Sequence, residues 1–280
     1  MDLISSEQSE DFFIDEVILV FCGFIFLSTF CLRYDILCDM KVITVKNYAE
    51  LSAFAADVIC DAIIRNPFAT LGLATGSTPL GTYSILRDKC SRGLLSLANV
   101  KVFNLDEYVG LDGSDPSSYA HFMKVNLFND TDMNIANFHI PCGVAPDLHD
   151  ECKSYDSLLT ANPRTLQLLG LGSNGHVAFN EPSTPFELRT HVVSLADSTI
   201  ADNSRLFESV SQVPKKALTM GISDIMAAEG VLLLASGTGK AQAVFDMICG
   251  KVSTDCPASV LQRHPNATVI IDEDASSLLK

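Results

Sequence analysis

From residue 40 onward, the chain alternates short aliphatic, β-rich runs with longer stretches in which apolar residues recur at helical spacing. This alternation is typical of βαβ units, whose parallel strands are covered by helices on both faces. It predicts an α/β fold with an open, mostly parallel, Rossmann-like sheet. The expected strands are residues 42–45, 70–74, 100–105, 165–170, 192–195, 217–220, 231–235 and 267–271. The expected helices are residues 48–64, 79–89, 118–127, 148–160, 240–249 and 258–262.

The charge of the chain excludes one class of partner. It carries 34 acidic and 19 basic residues, a formal net charge of −15. Proteins that bind nucleic acid need a basic face against the phosphate backbone, so we expect no nucleic-acid partner. An anionic small molecule would have to bind a small local group of cations instead.

Cysteine and histidine spacing gives no sign of a metal or disulfide framework. The nine cysteines are scattered without a CxxC pair, and the six histidines form no HExxH pattern. Because disulfides are rare in the cytosol, the cysteines are read as reduced thiols of a cytoplasmic protein. We expect no metal.

Residues 1–39 differ from the rest of the chain, with eight acidic residues, one basic residue and an apolar run at residues 17–32. This run is shorter than the roughly 20 residues of a spanning helix and lacks the basic flank of a secretory signal. We predict a single folded domain at residues 40–280, preceded by an apolar extension that is disordered or absent from the native protein. A membrane-associated segment is the alternative that the borderline length leaves open.

The first of three polar, Gly-bearing segments that follow predicted strands is ATGSTPLG, residues 74–81. Gly76 permits a close backbone turn, and Pro79 suits the start of a helix. The turn would present backbone N–H groups, with the Ser77 and Thr78 hydroxyls, to an anion. A plain strand-to-helix connection explains the same residues.

The second segment is NLDEYVG, residues 104–110, which places Asp106 and Glu107 at a strand end. We expect one carboxylate to point inward and the other to face away. An inward carboxylate could take a proton from carbon as a general base. A helix cap or a solvated turn is the structural alternative.

The third segment is GLGSNGHVAFNEP, residues 170–182, which carries His176 and, five residues later, Glu181. An imidazole exchanges protons near neutral pH, and a neighbouring carboxylate would orient it. A lone loop histidine often serves only as a hydrogen-bonding residue. Since loops at the carboxyl ends of parallel strands form the ligand crevice, all three segments are expected at one site.

These segments resemble the signatures of the glucosamine-6-phosphate deaminase family, also called glucosamine/galactosamine-6-phosphate isomerases. The matching wording is LATGSTPLGTY, NLDEYVGLDGSDPSSYAHFM and GLGSNGHVAFNEP. Similarity continues through STIADNSRLF, VPKKALTMGI, SGTGKAQAV and PASVLQRHP, and so covers residues 40–274. The related 6-phosphogluconolactonases share the fold but lack the DEYVG and GHVAFNEP wording.

The resemblance implies that glucosamine 6-phosphate and water become fructose 6-phosphate and ammonia, in amino-sugar catabolism and without a cofactor. Asp106 aligns with the family's base, which moves the C2 proton. His176 aligns with the residue that opens the pyranose ring, and Glu181 supports that step. One carboxylate would thus handle the carbon acid while an imidazole handles oxygen-bound protons.

The resemblance also implies how the phosphate is held. Gly76, Ser77 and Thr78 match the family's phosphate loop, and Arg205 and Lys240 match its two cationic ligands. Without the family pattern, Arg205 would be read as a surface helix residue and Lys240 as a helix-start residue.

Two departures from the family pattern concern the mechanism and its regulation. Asn174 stands where part of the family has Asp, so it would orient His176 by hydrogen bonds only. His191 and Val193 stand where the hexameric, allosterically activated branch has Arg and Lys, and that branch has a longer C-terminal tail. We predict no activation by N-acetylglucosamine 6-phosphate, and a monomer or small homo-oligomer.

Two other functions remain open from the residues. A lactonase of the same fold would hydrolyse 6-phosphogluconolactone without needing a C2 base. A sugar-phosphate-sensing domain of a transcription regulator could reuse the fold, although the acidic charge and the absence of a recognisable helix-turn-helix speak against it.

Overall fold

The computed structural model describes residues 40–196, 199–201 and 212–279, with Phe207, Ser209 and the backbones of residues 20–21, 24–25 and 33–37. The chain divides into two compact units, Met1–Leu32 and Arg33–Lys280. In the first unit, the described residues form two short antiparallel strands, β1 (Val20–Phe21) and β2 (Phe24–Ile25). None of the helices in the described parts of the chain is both long and apolar enough to cross a bilayer.

Eight strands of the second unit form one sheet. They are β3 (Arg33–Leu37), β4 (Met40–Val45), β5 (Thr70–Leu73), β6 (Lys101–Asn104), β8 (Phe138–His139), β9 (Leu166–Gly170), β12 (Val231–Ala235) and β13 (Ala267–Asp272). Their spatial order is β3-β4-β13-β12-β9-β5-β6-β8. Every pair is parallel except β3 with β4. The α/β fold with a mostly parallel sheet is therefore confirmed.

The central strands are buried along their whole length, as expected for a parallel sheet covered on both faces. All residues of β5 and β12 are buried. The covering helices are α1 (Tyr48–Arg65), α2 (Leu80–Ser91), α3 (Tyr119–Met123), α4 (Leu148–Ala161), α5 (Ile222–Met226) and α6 (Ala241–Cys249). Shorter helical turns are the π-helical Lys124–Phe128 and the 3-10 segments Ile135–Asn137, Thr238–Lys240 and Pro257–Arg263.

The first helix shows how local sequence sets these elements. The side chain of Asn47 accepts a hydrogen bond from the Glu50 amide, while Glu50 accepts one from the Lys46 amide. This reciprocal arrangement satisfies two N–H groups at the helix start. Leu51 and Ile59 then lie on the buried face at helical spacing.

Two expected strands lie outside the main sheet. A separate antiparallel sheet has the order β10-β11-β7, with β10 at His191–Ser194, β11 at Lys216–Thr219 and β7 at Asp106–Tyr108. Residues 192–195 and 217–220 were expected among the parallel strands, and that placement is wrong. Apolar runs of this length fit either sheet, because their composition does not encode their pairing partner.

The strand order reverses between β5 and β9. From β5 the chain proceeds to β6 and β8 on one side, and then crosses back to β9 and β12 on the other. At such a reversal the loops leaving neighbouring strands diverge and open a crevice. The loops after β5 and β9 carry the first and third sequence motifs, so the fold places them on either side of this crevice.

Candidate active site

A cavity of about 340 Å³ lies at this point of reversal. Its walls come from the loops that follow four neighbouring strands of the main sheet. They bring together six residues that the sequence singled out, namely Gly76, Ser77, Thr78, Asp106, His176 and Lys240. Residues of all three motifs therefore line one cavity, as expected.

The loop after β5 makes the first wall, and one tyrosine braces it. Gly76 has a φ of +97°, a left-handed conformation that glycine adopts without strain. The Tyr48 hydroxyl accepts a hydrogen bond from the Gly81 amide at 2.9 Å. It also lies 3.1 and 3.0 Å from the carbonyl oxygens of Ser77 and Thr78. The turn is therefore held in shape at the start of α2, the end of a helix at which the positive end of the helix dipole favours an anion.

The loop after β12 makes the facing wall and carries Lys240. The carboxylate of Asp272 anchors it by accepting hydrogen bonds from the Gly237 amide, at 3.0 and 3.1 Å, and from the Ser236 hydroxyl. Asp272 also accepts a bond from the Ala275 amide at 2.8 Å. Lys240 follows directly in a 3-10 turn and lines the cavity, where it supplies a positive charge in a net-negative protein.

Asp106 is the first residue of β7, which follows β6 of the main sheet, and it lines the cavity. Its side chain is only 5% exposed. Burial, and then the charge of neighbouring Glu107, raise the pKa of Asp106 to about 8. A carboxylate poised near neutral pH suits a general base, because it is basic enough to accept a proton yet ionised at moderately alkaline pH.

Glu107 does not face away from the protein, as the sequence analysis expected, but is 2% exposed. Its carboxylate accepts hydrogen bonds from the amides of Tyr108, Tyr119 and Ala120 at 2.8 to 3.0 Å. The last two amides belong to the first turn of α3, whose N–H groups have no partner within the helix. Glu107 thus holds α3 against the site. The three amides provide its buried carboxyl group with hydrogen-bond donors in place of water.

His176 belongs to a hydrogen-bonded network with Asn174 and Glu181. Asn174 Oδ1 accepts the His176 backbone N–H at 3.2 Å and lies 2.7 Å from His176 Nδ1. Asn174 Nδ2 donates to Glu181 Oε2 at 2.7 Å. The backbone contact fixes the orientation of the amide, so Nδ1 carries the ring proton. Nε2 is then left as the basic nitrogen of His176.

Glu181 supplies the negative charge of this network. Burial disfavours its ionised form, but hydrogen bonds from His176, Thr199 and Asn174, together with the charge of His176, lower its pKa to about 2. Glu181 Oε2 lies 3.5 Å from His176 Nδ1. An ionised carboxylate at this distance stabilises a positive charge on the imidazole, so His176 can take up a proton during a reaction.

Two glycines allow the loop that carries His176 to pack this closely. A Cβ atom at Gly172 would lie 2.3 Å from His176 Nδ1. Gly175 has a φ of +83°, and a Cβ there would lie 2.6 Å from Cys256 Sγ. Gly172 is therefore required by the position of the imidazole, and Gly175 by its left-handed conformation and its contact with Cys256.

Arg205, predicted as the second phosphate ligand, lies outside the described residues. Asn174 and Glu181 do not line the cavity themselves but support His176. Sequence reasoning missed Thr199 and Tyr119, which both line the cavity. They lie within the segments STIADNSRLF and SSYAHFM, so the resemblance covered them, but no spacing rule indicated their contacts.

The site shows no ligand set typical of a metal centre. Within the described residues, no three His, Cys, Asp or Glu side chains lie close enough together to hold an ion jointly. The chemistry that the geometry can support is proton transfer by a buried carboxylate and an imidazole, beside a loop that favours an anion.

Comparison with known proteins gives the family. The profile described as glucosamine-6-phosphate isomerases/6-phosphogluconolactonase matches residues 46–270. The chain belongs to this family.

Relatives in this family are similar over nearly their whole length. A glucosamine-6-phosphate deaminase of Thermoanaerobacter pseudethanolicus is 48% identical over 241 residues, which cover 86% of this chain and 95% of the relative. The Shouchella clausii enzyme of the same name is 48% identical, with coverage of 85% and 97%. The Clostridium acetobutylicum enzyme is 46% identical, with coverage of 86% and 100%.

Solved structures of the family agree with the fold. A monomeric glucosamine-6-phosphate deaminase superimposes with a TM-score of 0.83 at 46% identity, covering 85% of this chain and 99% of its own. The 6-phosphogluconolactonase of Trypanosoma brucei gives a TM-score of 0.72 at 20% identity, covering 85% and 98%. At that identity, the second likeness concerns the fold alone.

Proposed function

We propose that this chain is a glucosamine-6-phosphate deaminase, which converts glucosamine 6-phosphate and water to fructose 6-phosphate and ammonia. The observation that carries the proposal is the shared cavity of Asp106 and His176, between the Gly76 turn and Lys240. Relatives 46–48% identical over nearly their full length bear the same activity in their names. The reaction breaks a C–N bond with water, and so belongs to the hydrolases.

The phosphate binds at the Gly76 turn in this proposal. Backbone N–H groups and the Ser77 and Thr78 hydroxyls donate to its oxygens, and Lys240 supplies a positive charge from the facing loop. Arg205 is the second cation by resemblance. With the phosphate fixed at one end, the sugar extends along the cavity toward Asp106 and His176. Holding the sugar beside these two groups raises the rate of proton transfer by proximity.

Ring opening is the task of His176. Its Nε2 takes the proton of the anomeric hydroxyl and returns a proton to the ring oxygen, so the C1–O5 bond breaks and an open-chain aldehyde forms. Asn174 holds the Nδ1 proton in place, and the negative charge of Glu181 stabilises the transient imidazolium. No net charge is left on the enzyme after this step.

Asp106 then carries out the isomerisation. Its carboxylate takes the proton from C2, and the electrons of the C–H bond form a C1–C2 double bond while the C1=O double bond becomes a single bond and its oxygen takes up a proton from water. Asp106 then returns its proton to C1, which takes it with the electrons of the C1–C2 double bond, as the nitrogen lone pair forms a double bond to C2. The nitrogen at C2 becomes an imine, to which water adds. Ammonia leaves, and the ketone of fructose 6-phosphate remains. The buried position of Asp106 raises its proton affinity, which assists removal of a weakly acidic C–H proton.

The proposal is tested with the purified full-length chain and no added metal. Incubation with glucosamine 6-phosphate should release equal amounts of ammonia and fructose 6-phosphate. A parallel assay with 6-phosphogluconolactone separates the lactonase alternative, which needs no C2 base. Hydrolysis of the lactone without ammonia release would overturn the proposal.

The role of Asp106 is tested by Asp106→Asn. The amide keeps the shape of the side chain but cannot take a proton, so turnover should fall by about 10² to 10⁴-fold or more. Substrate binding, measured by calorimetry, should be retained. Near-normal turnover would remove Asp106 from this role.

Regulation and oligomeric state are proposed on the residues that differ from the activated branch. We propose a monomer or small homo-oligomer with hyperbolic kinetics, because His191 and Val193 replace Arg and Lys of that branch. A cytoplasmic location is proposed on the cysteines, which form no CxxC pair and are read as reduced thiols. A sigmoidal rate curve that N-acetylglucosamine 6-phosphate makes hyperbolic would contradict this.

A further inference from the structure

Thr199 contacts Glu181 of the proposed catalytic network and has no role in the mechanism proposed above. It lies in the short helical turn at residues 199–201, its side chain is 5% exposed, and it lines the cavity. Its hydroxyl donates a hydrogen bond to Glu181 Oε1. The two residues are 18 positions apart in sequence.

The two oxygens of the Glu181 carboxylate therefore have different partners. Oε2 accepts from Asn174 Nδ2 at 2.7 Å and lies 3.5 Å from His176 Nδ1. Oε1 is held by Thr199. A carboxylate fixed at one oxygen can still rotate about its terminal torsion, which is broad and soft, whereas one fixed at both oxygens cannot. Thr199 thus removes the remaining freedom of the group that faces His176.

The position of Glu181 matters more in this chain than it would with Asp at position 174, because Asn174, which lies between Glu181 and the imidazole, is neutral. Asn174 transmits orientation through its amide but contributes no charge of its own. The electrostatic effect on His176 therefore depends on where the Glu181 carboxylate lies. If that carboxylate turns away, Asn174 loses its acceptor, and the contact that keeps the proton on Nδ1 is weakened.

We propose that Thr199 is a positioning residue for ring opening, which holds Glu181 so that the Glu181–Asn174–His176 network keeps Nε2 of the imidazole basic and directed at the substrate. The inference rests on the proposed function. It assigns to Thr199 a role that acts through Glu181 and involves no contact with the reacting atoms.

The first test compares three variants by steady-state kinetics. Thr199→Val removes the hydroxyl at nearly constant shape and should lower kcat about tenfold, the effect of one hydrogen bond to a charged group, with KM within about twofold. Thr199→Ser keeps the hydroxyl and should stay within about twofold of the wild-type kcat. Thr190→Val is the matched control, because Thr190 is also buried and its hydroxyl has no hydrogen-bond partner.

The second test does not depend on the reaction. Nitrogen-15 NMR of labelled histidine reports which ring nitrogen of His176 carries the proton. The wild type and Thr199→Ser should show the Nδ1–H form, and Thr199→Val should show a mixture of both tautomers. Circular dichroism checks that each variant is folded.

These outcomes separate the two ideas. If the wild type releases no ammonia, the proposed function fails, and the tautomer measurement still tests the link from Thr199 to His176. If Thr199→Val keeps the wild-type kcat and the Nδ1–H form, the positioning role is wrong. Equal impairment of Thr199→Ser and Thr199→Val would also overturn it, since the hydroxyl would then not be the active feature.

Discussion

Asp106 shows what burial does to a single carboxyl group. Its pKa near 8 means that much of the free enzyme holds this group protonated at pH 7. Because a base acts only when ionised, kcat/KM should rise about tenfold per pH unit below the pKa and level off above it. We expect an ascending limb with its midpoint near pH 8 when kcat/KM is measured from pH 6 to 10. A flat profile between pH 6 and 9 would contradict the protonated state.

The same burial makes the stability of the folded protein depend on pH, because the ionised form of Asp106 is disfavoured inside the protein. Its folded pKa lies above that of an unfolded Asp, about 3.9, so between the two values the folded chain holds a proton that the unfolded chain has lost. Stability contributed by this group is present below about pH 4 and is lost as pH rises toward 8. Asp106→Asn removes the titration.

Asp106→Asn should therefore stabilise the protein at alkaline pH although it lowers turnover. We expect a gain of about 1 to 3 kcal/mol in the free energy of unfolding at pH 8.5, less than the full pKa difference because a buried site relaxes. The gain should be much smaller at pH 5. Urea unfolding at both pH values measures it, and an equal or larger gain at pH 5 would show that the charge is not the cause.

At the level of single residues, the sequence could predict which side chains meet but not how they are held. The glycines and the strand-end positions placed Gly76, Asp106 and His176 at one edge. The inward position of Glu107 depends on the amides of α3, twelve and thirteen residues away. Contacts of that kind depend on the tertiary fold, which residue spacing does not encode.

At the level of elements, six of the eight strands of the main sheet followed from periodicity, because a buried parallel strand and an amphipathic helix have distinct patterns, whereas β3 and β8 were not expected. The short strand β7 escaped notice, since Asp106–Tyr108 is only three residues long and begins with two acids. Its pairing with β11 provides hydrogen-bond partners for the backbone N–H and C=O groups of the segment that leaves the main sheet after β6. The site thus depends on a strand that has no hydrophobic signature.

The loop between β12 and α6 is an element that one carboxylate holds in place. Asp272→Ala removes the acceptor of the Gly237 and Ser236 hydrogen bonds, so the turn that carries Lys240 should become less ordered. We expect KM to rise about tenfold, the effect of losing roughly one charge-assisted contact. The kcat should change less than about threefold, because Asp106 and His176 lie on other loops.

Ser236→Ala is the matched control for this loop. It removes one of the bonds to Asp272 but keeps the Gly237 contact, so its KM should lie between those of the wild type and Asp272→Ala. Steady-state kinetics with glucosamine 6-phosphate measures all three proteins. A fall in kcat with unchanged KM would mean that Asp272 acts on the chemistry instead of on binding.

At the level of the whole molecule, the position of the site follows from the order of the strands. The reversal between β5 and β9 brings together loops that are far apart in sequence, and the carboxyl ends of β6 and β12 extend the same edge. The sequence predicted a parallel sheet with ligand loops at one end, but the strand order, and so the identity of neighbouring loops, came from the structure.

The residues proposed for catalysis and phosphate binding all lie after Met40, so the segment before them can be tested by truncation. In the unit Arg33–Lys280, β3 pairs with β4 along Arg33–Leu37. A chain that begins at Arg33 keeps this pairing, whereas one that begins at Met40 exposes the edge of β4. Both should retain kcat and KM within about twofold, because the cavity is built from loops at the carboxyl ends of β5, β6, β9 and β12.

The two truncated chains should differ in stability instead of activity. Losing the edge strand should lower the melting temperature of the Met40 chain by several degrees, since about 1 kcal/mol corresponds to roughly 2 to 4 °C in a domain of this size. Thermal denaturation followed by circular dichroism, alongside ammonia release, makes the comparison. If the Met40 chain were folded but inactive, residues 33–39 would contribute to the site itself, and the predicted boundary at residue 40 would be wrong.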